Sequence, residues 1–250
     1  MKYCLALAFL LSTSAFALDT DLGFAAFMRT TKLSGAVEAQ AGLSQVVWGN
    51  AGTDPLYGYV RASLAGRTAG TAWGYRAQLE LYPVSIFGIT LGRQALARFS
   101  DAPNINCTAI DCGVDVTSDF LQIKGLFKVQ DTFGQIIFQR DLFEKQYYSK
   151  PTVFEPVNQI GIDANGDYGT TWNLITGYQI DPQWSGGVIY SHANASITNH
   201  NSQSELLFAR WKPADINYTL AVGRVQTSVI GVGTQAAFTL SWWPKAKIGY

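Results

Sequence analysis

The chain has 250 residues, with 18 basic and 18 acidic side chains and a formal net charge of zero. That balance excludes the cationic footprint of a nucleic-acid-binding protein. Charged residues make up only 14% against 13% aromatics and 24 glycines, whereas a soluble domain carries about a quarter charged residues, so part of this surface does without charge.

In chain order, the first element is a leader. Met1-Lys2 is a short cationic start, Leu5 to Leu11 is an apolar run, and Ala15-Phe16-Ala17 fits an A-x-A cleavage site before Leu18. The run stops at Ser12-Thr13-Ser14, short of the roughly twenty apolar residues that a spanning helix needs. Residues 1–17 are therefore expected to be a cleaved signal peptide and residues 18–250 one exported domain. Cys4 lies too early, with the wrong neighbours, to be a lipoprotein acylation site.

Downstream, apolar and polar residues alternate, which is the period of a strand with two unlike faces. Residues 37–44 carry Glu38 and Gln40 on one side. In residues 56–65, Leu56, Val60, Ala62 and Leu64 oppose Tyr57, Tyr59, Arg61 and Ser63. In residues 75–82, Tyr75, Ala77, Leu79 and Leu81 oppose Arg76, Gln78, Glu80 and Tyr82. In residues 121–130, Leu121, Ile123, Gly125, Phe127 and Val129 oppose Gln122, Lys124, Leu126, Lys128 and Gln130. Trp172, Leu174, Thr176, Tyr178 and Ile180 form a further apolar stripe.

Between these segments lie connections of unequal length. Asp131-Thr-Phe-Gly134, Asp181-Pro-Gln-Trp184 and Lys212-Pro-Ala-Asp215 are short; residues 100–119 and 144–170 are long. The first long one holds Cys107 and Cys112, a close pair that reads as one disulfide in an exported chain. A metal site at that pair would lack nearby His or further Cys. The second long one holds Asp163-Ala-Asn165-Gly-Asp167, with the D-x-N-x-D spacing of a calcium loop. The sixth and twelfth positions are Tyr168 and Leu174, where such a loop has Gly and an acid, so the spacing favours an Asx-rich turn.

Near the C-terminus, His192 and His200 are the two histidines. His192 is followed by Asn194 and then Ser196, which on a strand lies about 13 Å further along the same face, beyond hydrogen-bond reach. A general-base histidine needs its serine within that reach, so a polar strand end is the favoured reading. In the last segment Leu240, Trp242, Pro244, Ala246, Ile248 and Tyr250 share one face. The other carries Ser241, Trp243, Lys245, Lys247 and Gly249.

This ending resembles the C-terminal signature of bacterial outer-membrane β-barrel proteins, whose assembly machinery reads a terminal aromatic preceded by alternating apolar residues. Tyr178 through Tyr190, with an aromatic beside Asp181-Pro182, resembles the hairpins of porin-like, OmpW-like and OmpA-like barrels, and Phe208 through Tyr218 repeats the design. The likeness is to a superfamily and selects no single family. It implies an all-β, transmembrane, antiparallel up-and-down barrel in the outer membrane of a Gram-negative bacterium. Lipid would surround it, the assembly machinery would engage the strand ending at Tyr250, and short turns would face the periplasm with long loops outside.

Working back from the last segment places strands near residues 234–250, 216–226, 204–211, 185–196, 171–180, 135–143, 120–130, 86–98, 75–82, 56–65, 37–47 and 22–29. That is about twelve strands, with ten or fourteen also compatible because the first is weakly marked. In a barrel the apolar stripes face lipid and the polar ones the lumen. Arg61, Arg76, Lys124, Lys128, Lys245 and Lys247 then point inward against Glu38 and Glu80. A basic excess at close quarters favours anions.

The expected function is a porin-like passive channel for small hydrophilic solutes with a slight anion bias, without cofactor, metal or catalytic residues. The alternatives are a non-conducting structural or adhesive barrel acting through its loops, and an outer-membrane lipid hydrolase. A secreted β-sandwich is the remaining fold; Asn106, Asn194 and Asn217 lie in sequons that would suit one.

Overall fold

A computed structural model describes residues 19–30, 34–51, 53–69, 72–98, 107–145 and 150–245. The leader, Lys247 and Tyr250 lie outside the described residues, as does the side chain of Lys245.

Twelve strands form one closed antiparallel barrel. They are β1 (Asp19–Arg29), β2 (Ser34–Trp48), β3 (Gly58–Ala69), β4 (Ala72–Val84), β5 (Phe87–Arg98), β6 (Val116–Val129) and β7 (Thr132–Phe143), then β10 (Asp167–Gln179), β11 (Trp184–Ala195), β12 (Asn201–Trp211), β13 (Ile216–Thr227) and β14 (Gly231–Lys245). Two short strands between them, β8 (Thr152–Glu155) and β9 (Ile160–Asp163), form a separate hairpin. Each wall strand pairs with its sequence neighbour except that β7 pairs directly with β10. The weakly marked first strand closes the barrel, pairing with β2 on one side and β14 on the other, Phe24 opposite Trp242.

Closure removes the sheet edges, so strands of 11 to 15 residues satisfy their backbone polar groups within the wall. The alternation then sorts side chains. Leu64, Leu79, Leu91, Ile123, Val129, Ile136, Leu174, Leu207 and Leu220 are all exposed on the outside. Trp184, Trp211 and Tyr218 stack in series at one end of this outer band, with centroid spacings of 6.0 and 5.2 Å. Towards the other end lie exposed Trp73, Tyr75, Tyr168 and Trp172. Two aromatic girdles around an apolar belt are the surface a bilayer solvates.

The three short turns share one rim, and the two long connections share the opposite rim. Asp181 shapes the turn before β11 by accepting the N–H groups of Gln183 and Trp184 at 2.7 and 2.8 Å. The turn between β6 and β7 is tighter than its sequence suggests. Gln130 takes a left-handed φ of 54° there, and pairing resumes at Thr132.

Residues 144–170 are more structured than a loop. The β8–β9 hairpin lies inside the barrel, where Val153, Ile160 and Ile162 pack on the wall residues Val116, Phe143, Ala193 and Ala195. The expectation of one long loop here missed this element and the start of β10.

Candidate functional site

The lumen divides into two unlike halves. On the side formed by β1 and β3–β7, long polar side chains project inward. Arg61 on β3 is 1% exposed and donates to Asp21 of β1 at 2.6 and 2.8 Å while also pairing with Glu80 of β4. Gln78 donates to the same Glu80 carboxylate at 3.0 Å. Next to this triad, a cavity of about 170 Å³ is lined by Glu38, Arg76, Gln78, Glu80, Gln122 and Lys124, among others. Above it, Gln139 and Gln94 donate to Asp141, and Arg76 lies 4.2 Å from the Phe120 ring centroid.

Across the lumen the wall carries an apolar patch. Leu206, Phe208, Ala221 and Val225 are buried inside the barrel, with Phe133, Ile175, Ile189 and Ala237 packed against them. Tyr57, Tyr59 and Tyr82 form a third cluster towards the short-turn rim, the last two stacked at 4.4 Å.

Arg61, Arg76, Glu80, Lys124 and Lys128 thus all lie on inward-facing positions. Arg61 is not a solute-facing charge, because two carboxylates enclose it. Asp21 is the partner that sequence reasoning missed. Lys128, near the short-turn rim, is exposed and donates to Gln179 at 3.4 Å.

At the long-loop end the β8–β9 hairpin narrows the lumen. The Glu155 carboxylate is buried and accepts the N–H groups of Val157 and Asn158 at 2.8 and 2.7 Å, fixing the hairpin's tip. Burial pushes this carboxyl above its ordinary range, against the two backbone donors that favour its charged form. The Gln159 amide, with its oxygen turned to Arg29, accepts from both guanidinium nitrogens at 2.8 and 3.0 Å. A cavity of about 320 Å³ remains between the tip and the wall, lined by Arg29, Asn173, Ser191, Ser202, Ser204 and other residues.

Two neighbours clamp this hairpin. Cys107 and Cys112 form a disulfide, with Cα atoms 5.6 Å apart, inside the usual range. The loop it closes pairs with β8: Asp111 donates to Thr152 at 2.8 Å and accepts from Phe154 at 2.9 Å. Lys150 donates to the Cys107 and Ile110 carbonyls, and Arg98 donates to the Cys112 carbonyl and covers the Phe154 ring. From the other side Thr198 donates to the Gly161 carbonyl at 2.6 Å, and His200 sits against the same glycine. A Cβ at Gly161 would collide with the His200 ring.

Gly161→Val should therefore undock the hairpin, and a nitroxide at residue 157 would report it as faster motion. An unchanged spectrum would refute the packing. The same label should move faster as pH rises. A carboxyl whose docked pKa is raised favours docking fully below its free value, and that contribution fades as pH climbs through the raised one.

The other candidates resolve without chemistry. Asp163 accepts the N–H of Asn165, and Asp167 accepts those of Asp163, Tyr168 and Ile197, so backbone donors occupy these carboxylates in an Asx-type turn with Gly166 at φ +102°. His192 faces outward on β11 opposite Trp172, while Ser191 turns inward to Asn173. Ser196 sits beyond the end of β11.

No family model matches this sequence, and no curated protein does. Among solved structures the fold is similar to a KdgM porin, at 11% identity over 89% of this chain and 98% of that one, with a TM-score of 0.46. It is also similar to an outer-membrane channel from Pseudomonas putida F1 (9%, 92% and 97%, TM-score 0.49). A third similar structure is the beta domain of the Bordetella autotransporter BrkA (11%, 89% and 98%, TM-score 0.44). These are bacterial outer-membrane β-barrels, and the likeness is one of architecture alone.

Proposed function

We propose that this chain is a non-enzymatic, porin-like channel of a bacterial outer membrane, exported through the leader at residues 1–17 and passing small hydrophilic solutes by diffusion. The observation that carries this reading is the contrast between an apolar outer belt and a lumen holding charged and amide side chains around cavities of about 170 and 320 Å³. A barrel filled only to satisfy its own wall would have no use for such unfilled polar space. The long-loop rim faces outside, and the β8–β9 hairpin is the constriction.

The anion bias is slight. Within the lumen the cations Arg61, Arg76 and Lys124 are set among the carboxylates of Asp21, Glu38, Glu80 and Asp141. Bias then comes mainly from the short-turn mouth, where Lys128 is exposed. Lys128→Glu should shift the reversal potential across a KCl gradient towards cation preference. The shift should shrink at 1 M salt, where the screening length is about 3 Å. An unchanged reversal potential would remove Lys128 from the pathway, and absence of conductance from folded protein would overturn the channel.

A second reading is a non-conducting barrel that acts through its outer loops. The docked hairpin favours it, since Val153, Phe154, Ile160 and Ile162 are as buried there as core residues. The same conductance measurement decides between the two.

A further inference from the structure

The short-turn mouth of the lumen holds a pocket that the general pore reading does not use. It has a volume of about 210 Å³ and is lined by Lys128 of β6, Arg210 of β12, Lys212 of the following turn, Gln179, Gln183 and Phe133, among others. Three cations from separate elements converge, and among the described residues no carboxylate lines the cavity. Of the carboxylates in the adjoining turns, Asp181 accepts two N–H groups of its own turn and Asp131 accepts the Tyr178 hydroxyl at 3.3 Å; Asp215 does not line the cavity.

The pocket is not only basic. Phe133 belongs both to its lining and to the apolar patch of the lumen wall, with its ring 6.4 Å from that of Phe208. The Arg210 guanidinium lies 5.4 Å from the Phe208 centroid, a placement that orients the fork while leaving its N–H edge for a ligand. A porin lumen is ordinarily polar along its height. Here a basic mouth opens onto a wall of Phe133, Phe208, Ile175, Ile189 and Leu206.

We infer that this mouth is a binding site for small organic anions with an apolar body, a carboxylate head held by Lys128, Arg210 and Lys212 and the body laid against Phe133. This deepens the channel reading by naming a solute class, and it rests on that reading only for the step of passage. Arg suits a planar carboxylate because its two parallel N–H groups meet both oxygens. The two lysines add charge without geometry. The small volume matches a single ring or a short chain.

The test is calorimetric titration of benzoate into the refolded barrel in nanodiscs, with acetate as the head without a body and benzyl alcohol as the body without a head. The wild type should bind benzoate more tightly than either. Lys128→Gln/Arg210→Gln should weaken benzoate about tenfold or more, because charge-assisted contacts are lost. Lys128→Gln alone, at an exposed position, should weaken it less and guards against a folding defect. Phe133→Ser should erase the preference for benzoate over acetate while acetate still binds. No benzoate binding, equal binding by the double variant, or an unchanged benzoate preference in Phe133→Ser would overturn the site. Benzoate binding by a barrel that conducts no ions would overturn the channel reading and leave the site standing.

Discussion

Arg61→Met should destabilise the folded barrel by about 3–5 kcal/mol, the cost of leaving buried charges without their partner. Asp21 and Glu80 are 2% and 3% exposed, and Arg61 bridges them across the interior of β1, β3 and β4. Burying two carboxylates is unfavourable unless a cation and hydrogen bonds compensate, and one guanidinium supplies both here. Urea unfolding of the refolded protein in lipid vesicles would measure the loss. The triple variant Arg61→Met, Asp21→Asn, Glu80→Gln should recover most of it, because neutral amides cost far less to bury than stranded carboxylates. A loss under about 1 kcal/mol, the scale of a solvent-exposed pair, would contradict the enclosed triad.

Ile123→Arg should cost about 2–4 kcal/mol in the same assay, provided the outer belt lies in hydrocarbon. Ile123 sits in the middle of β6, pointing outward and 36% exposed. Its neighbour Gln122 points inward, where its amide donates to Gln139 at 3.0 Å. Gln122→Arg should therefore cost much less, since the lumen can hydrate or pair a charge. Equal losses at 122 and 123 would mean that both faces meet the same environment.

How much of this was legible depended on whether neighbouring residues differed in polarity. Along residues 121–130 they do, and alternation assigned both faces of β6 correctly from Leu121 to Val129. Along β12 the run Leu206-Leu207-Phe208 is apolar on both faces, so the period carries no signal. The inward cluster of Leu206 and Phe208 had to come from the structure.

The hairpin was missed for a different reason. Its apolar residues come in two four-residue strands, Thr152–Glu155 and Ile160–Asp163, too short to span a bilayer and easily taken for loop. A signal was present: Val153, Phe154, Ile160 and Ile162 are an odd load of apolar residues for a solvent-exposed loop. Asp21 escaped notice because its pairing with Arg61 spans 40 residues and β2 lies between their strands. Such a contact is set by barrel closure, and no local spacing encodes it. The disulfide needed only two cysteines five residues apart in a chain whose leader reads as a signal for export, and it is present.

The most direct test of a solute path through this lumen is thiol modification during conductance recording. Cys107 and Cys112 are joined to each other, so once Cys4 is replaced by serine a single introduced cysteine reports alone. In planar bilayers the Gln122→Cys barrel should conduct, and its current should fall when a bulky charged thiosulfonate reaches residue 122. The Ile123→Cys barrel should conduct with no response to the same reagent. Loss of current from Ile123→Cys but not from Gln122→Cys, or no conductance from either folded barrel, would contradict a water-filled passage along the polar half of the lumen.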